Sequence, residues 1–557
     1  MTAALAHHPE MALFMALAIG HLIGAIKIGP IQLGGVCGTL IVALILGQSG
    51  VRLDVDLKNI AFALFIFALG FTGGPQFFAN IQQGWRFGAL SLIEVVVVMT
   101  VVMTATAVLA LNPGAAAGLL AGSATESAVI GTAAEAVTHL PISTEEATRL
   151  QGQIATAYSV TYLIGLITIV LFTSQIGPLL LRIDLKREAA ALAERLGEGK
   201  GANVAHALPE FVGRAYSAGP AAGLSVGELE AALGNNATVE RIRRGEQVRD
   251  ARPEDRLEAD DVLLLVGRRA GVLEAAGRLG PETSVPDIFN MPLVRRDVVA
   301  TSKAVAGRTI GELRALAPLD VQRGVFISRV RRMGHDIPAL AGTQIQDGDL
   351  VELYGAERAV ARAAAQLGRP VQAADKTDFI MLGVGILIGI LIGLLGVTIA
   401  GIRISLGTGG GCLLSGLVFG WLATRRSGSW TFPSSAAQIL KDFGLATFIA
   451  AVGLSAGPDA IRLIREYGLT LPVAGVLAAL LPASASLFVG RKLLKIEPPF
   501  LLGAIAGQQC STPAISALVT AAGNSTPVVG YTVTYAISNV LLPLLGPIVV
   551  GLAAKMN

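Results

Sequence analysis

The chain is poor in charge, in cysteine and in aromatic side chains, and each shortage removes a class of function. Only 15% of its 557 residues are Asp, Glu, Lys or Arg, too few to coat the surface of a water-soluble protein of that length, so an ordinary soluble enzyme is excluded. The three cysteines, Cys37, Cys412 and Cys510, lie in apolar or glycine-rich stretches without CxxC or Cys/His spacing, which excludes a disulfide framework and a zinc site. The six histidines are equally scattered, from His7, His8 and His21 to His139, His206 and His335. A dispersed net charge of +3 offers no basic face to nucleic acid. HExxH and Walker motifs are missing, and the two G-x-S-x-G matches, Gly223 to Gly227 and Gly453 to Gly457, lack the strand-to-helix setting of a nucleophile elbow. The reading is a protein that is not an enzyme, with no catalytic residue, no metal and no cofactor.

What fills the chain instead is apolar, 53% of all residues. Residues 87–111, 154–181, 378–400, 469–489 and 527–553 approach or exceed the roughly 17 to 25 apolar residues that cross a bilayer. The first apolar run begins at Met11 with neither a basic leader nor a clear small-residue cleavage site, so it reads as the first span rather than a signal peptide. The lipid bilayer is therefore the first partner.

The membrane part is duplicated. Gly70-Phe71-Thr72-Gly73-Gly74-Pro75 returns as Gly453-Leu454-Ser455-Ala456-Gly457-Pro458, each copy closing an apolar run. Ile31-Gln32-Leu33-Gly34 echoes in Ile404-Ser405-Leu406-Gly407, and Tyr158-Ser159-Val160-Thr161-Tyr162 in Tyr531-Thr532-Val533-Thr534-Tyr535. Duplicated halves with Gly/Pro-interrupted apolar segments are the signature of secondary transporters.

More than half of the charged residues fall between Asp184 and Asp375, so the halves flank a soluble insert. The expected division is 1–183 for the first half, 184–285 and 286–375 for two modules, and 376–557 for the second half. Within the insert, Leu224-Ser225-Val226-Gly227-Glu228-Leu229 returns as Arg308-Thr309-Ile310-Gly311-Glu312-Leu313, Arg241 to Arg244 as Arg329 to Arg332, and Asp261 to Gly267 as Asp349 to Gly355. This order resembles the regulatory C-terminal module found beside potassium-channel and potassium-transporter subunits, here in two copies. The resemblance implies an α+β module with a regulatory ligand, of unknown chemistry, within residues 205–370. No GxGxxG loop follows a strand there, and the arginines read as a solvated strand face.

Charge sets the expected topology. With the insert in the cytoplasm beside Arg182, Lys186 and Arg187, Arg425, Arg426, Arg491, Lys492 and Lys495 fall on the same side if each half crosses five times. Five is odd, so the halves run inverted, with both termini outside. One further apolar segment per half, about 114–137 and 500–523, is left over and reads as re-entrant. The expected fold is an α-helical polytopic membrane protein with inverted repeats, about five spans plus one re-entrant segment per half, around a soluble α+β insert of two tandem modules.

Small polar residues interrupt both leftover segments at the same relative place. An anionic substrate in the membrane needs hydrogen-bond donors, and a half-helix N-terminus supplies them together with a favourable dipole. The candidate substrate cradle comprises Thr72, Gly73, Gly74, Ser123, Thr125, Glu126, Ser127, Ser455, Gly457, Gln508, Gln509, Cys510, Ser511 and Thr512. Close helix packing also uses Gly, Ser and Thr, and that reading stands beside the cradle. Glu126 is placed to meet a proton, a cation or a substrate ammonium group, or else sits at a loop mouth. Glu94, two turns into its helix, is expected at the interface, as are Arg86 and Arg403.

Two membrane halves with the G-x-x-x-G-P motif, separated by tandem regulatory modules, resemble the aspartate:alanine exchanger family of bacterial inner-membrane proteins over essentially the whole chain. The resemblance implies a secondary transporter of small amino or dicarboxylic acids, aspartate against alanine first among them. A one-way exporter of succinate-like dicarboxylates is the alternative, and a homodimer is possible. A cation channel or antiporter gated by the modules is a further alternative, opposed by the lack of a TVGYG-like filter and of adjacent acids in a membrane segment.

Overall fold

A computed structural model describes residues 8–28, 31–32, 34–83, 85–196, 211–233, 237–290, 293–302, 304–317, 324–371, 378–399, 402–405, 407–425 and 432–556. Arg426, Leu33, Leu406, His7, His206 and the expected boundary at residues 375 and 376 lie outside them. The chain forms two compact units, Met1–Leu192 with Ala373–Asn557, and Ala193–Gln372.

The first half begins with α1 (Pro9–Gly24) and α2 (Gly35–Gly47), joined by a hairpin of β1 (Lys27–Ile28) and β2 (Ile31–Gln32). Then come α3 (Val55–Gln83), α4 (Trp85–Leu109), the short α5 (Pro113–Ser123) and α6 (Ala128–Thr138), and the long α7 (Thr144–Leu181). After α8 (Leu185–Leu196) the insert runs β3 (Phe211–Ser217), α9 (Val226–Ala232), β4 (Ala237–Arg244), β5 (Gln247–Asp250), β6 (Val262–Arg268) and α10 (Arg269–Ala275). It then repeats itself as β7 (Leu293–Ala300), α11 (Ile310–Leu316), β8 (Val325–Arg332), β9 (His335–Ile337), β10 (Leu350–Ala356) and α12 (Glu357–Leu367), with β11 (Gly368–Pro370) added. The second half is α13 (Phe379–Leu394), β12 (Gly396–Ile399), β13 (Ile402–Ser405), α14 (Gly407–Arg425), α15 (Ser434–Tyr467), α16 (Thr470–Lys492), α17 (Pro498–Gln508), α18 (Thr512–Ala522) and α19 (Pro527–Met556).

Among the described residues the halves thus match element for element, seven helices and one hairpin each. Among the described residues six helices, α3, α4, α7, α15, α16 and α19, are long and apolar enough to span a membrane. The other two of the five expected spans are shorter: α1 and α2 have 16 and 13 residues, about 24 and 20 Å at 1.5 Å per residue, against a core of about 30 Å. Leu92, Val96 and Val108 of α4 and Phe488 of α16 stand exposed on these helices, as lipid-facing side chains do.

The glycine contacts fix directions. Gly114, Gly118 and Gly122 of α5 lie against Leu150, Ile154 and Thr161 of α7 in rising order, so α5 and α7 run parallel. The intervening α6 must therefore carry the chain back to the side it entered from. With 11 residues, α5 reaches about 16 Å, half the apolar thickness. In the second half Gly503 and Gly507 of α17 lie against Pro527 and Tyr531 of α19 in the same way. The two leftover segments are re-entrant helix hairpins, as expected. Each is started by a proline after a turn residue with positive φ, Ala110 at 49° and Lys495 at 52°.

Inversion follows from the third helices. Gly70 and Gly74 of α3 lie against Leu413 and Leu417 of α14, while Gly453 and Gly457 of α15 lie against Ala43 and Gly47 of α2. Both pairs are parallel, and α3 turns back on α2 after a short loop, so the matching helices α3 and α15 oppose each other. The Gly-Pro motif closes each apolar run without breaking these helices. α3 continues through Pro75 to Gln83, and α15 through Pro458 to Tyr467. Each proline leaves one carbonyl without its intrahelical donor, that of Phe71 or Leu454, and a glycine of a neighbouring helix, Gly420 or Gly47, closes over it.

In the insert, the first sheet has the order β3-β6-β4-β5 and the second β11-β7-β10-β8-β9, all neighbours antiparallel. Ser225 with Glu228, and Thr309 with Glu312, form capping boxes at α9 and α11. The arginine expectation needs correction at two positions. Arg244 grips Asp261 at 2.8 and 2.7 Å, and Arg332 grips Asp349 at 2.8 and 2.6 Å, both bidentate. Arg332 is buried rather than solvated. Among the others, Arg329 is exposed and Arg241, Arg243 and Arg331 are half-buried.

Candidate functional site

The tips of the two re-entrant hairpins meet. Thr125 Oγ1 donates to the Gln509 carbonyl, and Cys510 Sγ, 3.9 Å from the Gln508 carbonyl, acts electrostatically on the Glu126 carboxyl. Each tip turns on a single left-handed residue that is not glycine, Thr125 at φ 50° and Cys510 at φ 49°. Such a conformation costs of order 1–3 kcal/mol and persists only where the surroundings impose it. The two residues hold the same place in the repeat, so the junction is built around the pseudo-two-fold relation of the halves.

Around this point the structure gathers most of the expected cradle. Ser127 pairs with Tyr158 Oη at 2.8 Å, and its counterpart Thr512 faces Tyr531 Oη at 3.5 Å. Behind them Tyr158 packs on Tyr162, and Tyr531 on Tyr535, each at 5.1 Å between ring centroids. Ser511 caps α18 by accepting the Ala514 N–H at 3.3 Å. Gln508 Nε2 donates to the Leu90 carbonyl at 2.5 Å and Gln509 Nε2 to the Ala479 carbonyl at 3.1 Å. These bonds clamp the second tip between α4 and α16. Ser123 is fully buried and bonds back to Leu120 at 3.3 Å.

Glu126 lies inside this junction, not at a loop mouth. It is 5% exposed, and its Oε1 accepts the Ala128 N–H at 2.9 Å. A carboxylate thus already rests on the N-terminal turn of α6, where the helix dipole favours negative charge. Lys441 of α15, beside Asp442, acts on it electrostatically without forming an ion pair with it.

The Gly-Pro motif behaves differently from the tips. Thr72 Oγ1 donates to Ala68 and Leu69 carbonyls of its own helix at 3.0 Å, and Ser455 Oγ to Ala451 at 2.9 Å. Gly73 and Gly74 are buried, Gly74 against Leu417, and the Gly457 carbonyl accepts from Gln48 Nε2. No bond among the described residues joins these five residues to the tips. Of the two G-x-S-x-G serines, Ser225 is a helix cap and Ser455 lies mid-helix.

Glu94 overturns its expected interfacial place. It is 1% exposed, about 14 Å along α4 from its start, close to the middle of an apolar layer. Its Oε2 accepts from Ser538 Oγ of α19 at 3.3 Å, and Glu126 acts on it electrostatically. The fold therefore brings two acids together that are far apart in sequence. Counting helix positions from Trp85 hides this, because burial depends on α19 and the tips. Arg86 stands exposed with its guanidinium 5.9 Å from the Trp85 ring, as expected of an anchor. Arg403 lies in β13.

Sequence reading also missed Glu135 of α6. Its carboxylate accepts the N–H groups of Thr408 and, at 2.9 Å, of Gly409, capping α14 and tying the first hairpin to the second half. The tyrosines were visible as a repeated Tyr-x-x-x-Tyr, a signal that marks them as matched partners of the matched tips. Among the described residues, no group of three or more His, Cys, Asp or Glu side chains is arranged for a metal ion.

Comparison with known proteins agrees with this architecture. Residues 12–178 and 381–551 match the family described as the predicted permease membrane region of Asp-Al exchangers, and residues 215–280 match the TrkA-C domain. An uncharacterized transporter of Zymomonas mobilis is 38% identical over 557 residues, covering 98% of both chains. One from Bordetella parapertussis is 38% identical over 99% of this chain and 98% of its own, and one from Shewanella oneidensis 31% over 98% of each. With inverted halves split around a TrkA-C module and relatives aligned from end to end, this chain belongs to the aspartate:alanine exchanger family of membrane transporters.

Proposed function

We propose that the protein exchanges small amino or dicarboxylic acids across the bacterial inner membrane, aspartate against alanine, and binds the substrate carboxylate at the meeting hairpin tips. The observation that carries this reading is the Glu126 carboxylate on the Ala128 N–H, at the N-terminal turn of α6. A site that holds its own carboxylate there has the donors and the field for a substrate carboxylate. Ser127, Thr512 and the two tyrosine hydroxyls add donors that a substrate exchanges for their mutual pairing.

Alternating access then places the tips at the midplane, open to one side at a time. In this reading the insert lies in the cytoplasm, both termini lie outside, and a ligand of the TrkA-C modules biases the cycle.

Vesicles reconstituted with purified protein test the exchange. Aspartate uptake that requires internal alanine supports it, whereas equal uptake into empty vesicles points to one-way transport. Ser127→Val and Thr512→Val are each expected to weaken substrate affinity about 5-fold, the loss of one hydrogen bond of about 1 kcal/mol. Titration of ligand-induced stabilisation measures this, and unchanged affinity in both variants places the carboxylate elsewhere.

A further inference from the structure

We infer that Glu94 is the residue that receives the ammonium group of an amino-acid substrate, and so decides between amino acids and plain dicarboxylates. This rests on the carboxylate site proposed at the tips. Glu94 Oε1 is buried and has no hydrogen-bond partner, while Oε2 has only the long 3.3 Å contact from Ser538. A buried carboxylate is costly in a membrane unless something pairs with it.

Among the described residues, the groups around Glu94 supply no cation. On its own helix stands Ser91, which Ser538 of α19 also contacts at 3.3 Å. From the second tip, Gln508 spends its amide on the Leu90 carbonyl, and Cys510 is neutral when protonated. From the first tip comes Glu126, a second acid, on which Lys441 acts more weakly than the Ala128 N–H does. Lys441 acts on Asp442 and Glu126 and not on Glu94, whose Oε1 is left without a partner in this cluster. A substrate carrying its carboxylate to the tips and its ammonium to Glu94 completes it.

The repeat supports an orienting role. Glu94 is the tenth residue of α4, and the tenth residue of α16 is Ala479. The tips offer matched donors from both halves, which suits either end of a dicarboxylate. The acid comes from one half alone, so it fixes which end of an α-amino acid points toward α4.

The experiment uses the purified full-length protein, Glu94→Gln and Glu94→Asp, each titrated with aspartate, alanine and the des-amino analogues succinate and propionate. Ligand-induced thermal stabilisation gives the affinities. Glu94→Gln is expected to weaken aspartate and alanine at least 10-fold while changing succinate less than 3-fold, and Glu94→Asp to recover part of the amino-acid affinity. Equal losses for amino and des-amino ligands, or no loss, overturn the assignment. So does a loss seen only as a common shift in the pH profile of both ligand classes, which makes Glu94 a proton carrier instead. If wild-type protein binds none of the four, the carboxylate reading itself fails, an outcome separate from failure of Glu94. A folded Glu94→Gln sample is recognised by its unliganded melting temperature. Should that variant not fold, Glu94→Asp carries the test: a shortened acid must weaken the amino acids more than succinate, and equal weakening overturns the assignment.

Discussion

Arg332→Ala is expected to lower the stability of the insert by about 3–5 kcal/mol, the cost of leaving one member of a buried ion pair alone. Arg332 is 2% exposed and Asp349 fully buried. Two parallel bonds of 2.8 and 2.6 Å join them, a third runs from Arg332 to the Gln344 carbonyl at 2.9 Å, and Asp349 also accepts the Gln346 N–H at 2.8 Å. Removing the guanidinium strands a carboxylate between β8 and the turn before β10. Denaturant unfolding or protease resistance of the insert in the full-length protein reads the loss. A double replacement, Arg332→Met with Asp349→Leu, is expected to recover much of it, because no charge is left unpaired. A single variant as stable as wild type contradicts the pairing.

The first module repeats the device with a pH consequence. Burial pushes the Asp261 carboxyl up, but the Arg244 guanidinium and the Glu258 N–H more than offset this and hold it below the ordinary carboxylate range. A folded-state value below the unfolded one stabilises the module above about pH 4, and that contribution is lost as pH falls through the lower folded value. Asp261→Asn is expected to flatten this acid limb in the same unfolding assay. An unchanged acid limb removes Asp261 as its source.

Much of this fold was legible because duplication writes each structural statement twice. The paired Gly-Pro motifs, the paired tyrosines and the polar interruptions gave the halves, their order and the re-entrant hairpins. The odd crossing count gave inversion. What the sequence concealed was who faces whom. Glu94 and Glu126 approach each other only because α19 and the hairpin tips close around α4, and Glu135 finds the first turn of α14 from another half of the chain. Local patterns carry no record of such contacts. Thr72 and Ser455 misled for the opposite reason: a hydroxyl in an apolar helix has a carbonyl of its own helix within reach, and both took it. The arginines of the insert looked solvated because charge was read as exposure, yet strand alternation sets Arg332 on the inward face with Val330, where it closes a buried network.

Gly420→Ala carries the second large effect, and its sign is the informative part. In an ordinary helix interior Gly→Ala stabilises by about 0.5–1 kcal/mol, because alanine has less backbone entropy to lose. At Gly420 the new methyl group lands on the Phe71 carbonyl oxygen, the one that Pro75 leaves without an intrahelical donor. α14 must then move off α3, and the small-residue seam between the two halves opens along Gly416, Gly70 and Gly74. Overpacking of this kind costs about 3 kcal/mol. The apparent melting temperature of the purified protein should fall, and reconstituted transport with it. Gly47→Ala, which meets the Leu454 carbonyl freed by Pro458, should behave alike, since the contact is the same one seen from the inverted half. Gly383→Ala on α13 is the control: its new methyl group meets nothing within 4 Å, so it should leave stability unchanged or raise it. Equal shifts at Gly420 and Gly383 would show that the repeated proline is not covered by a glycine of the other half, and the motif would lose its structural explanation.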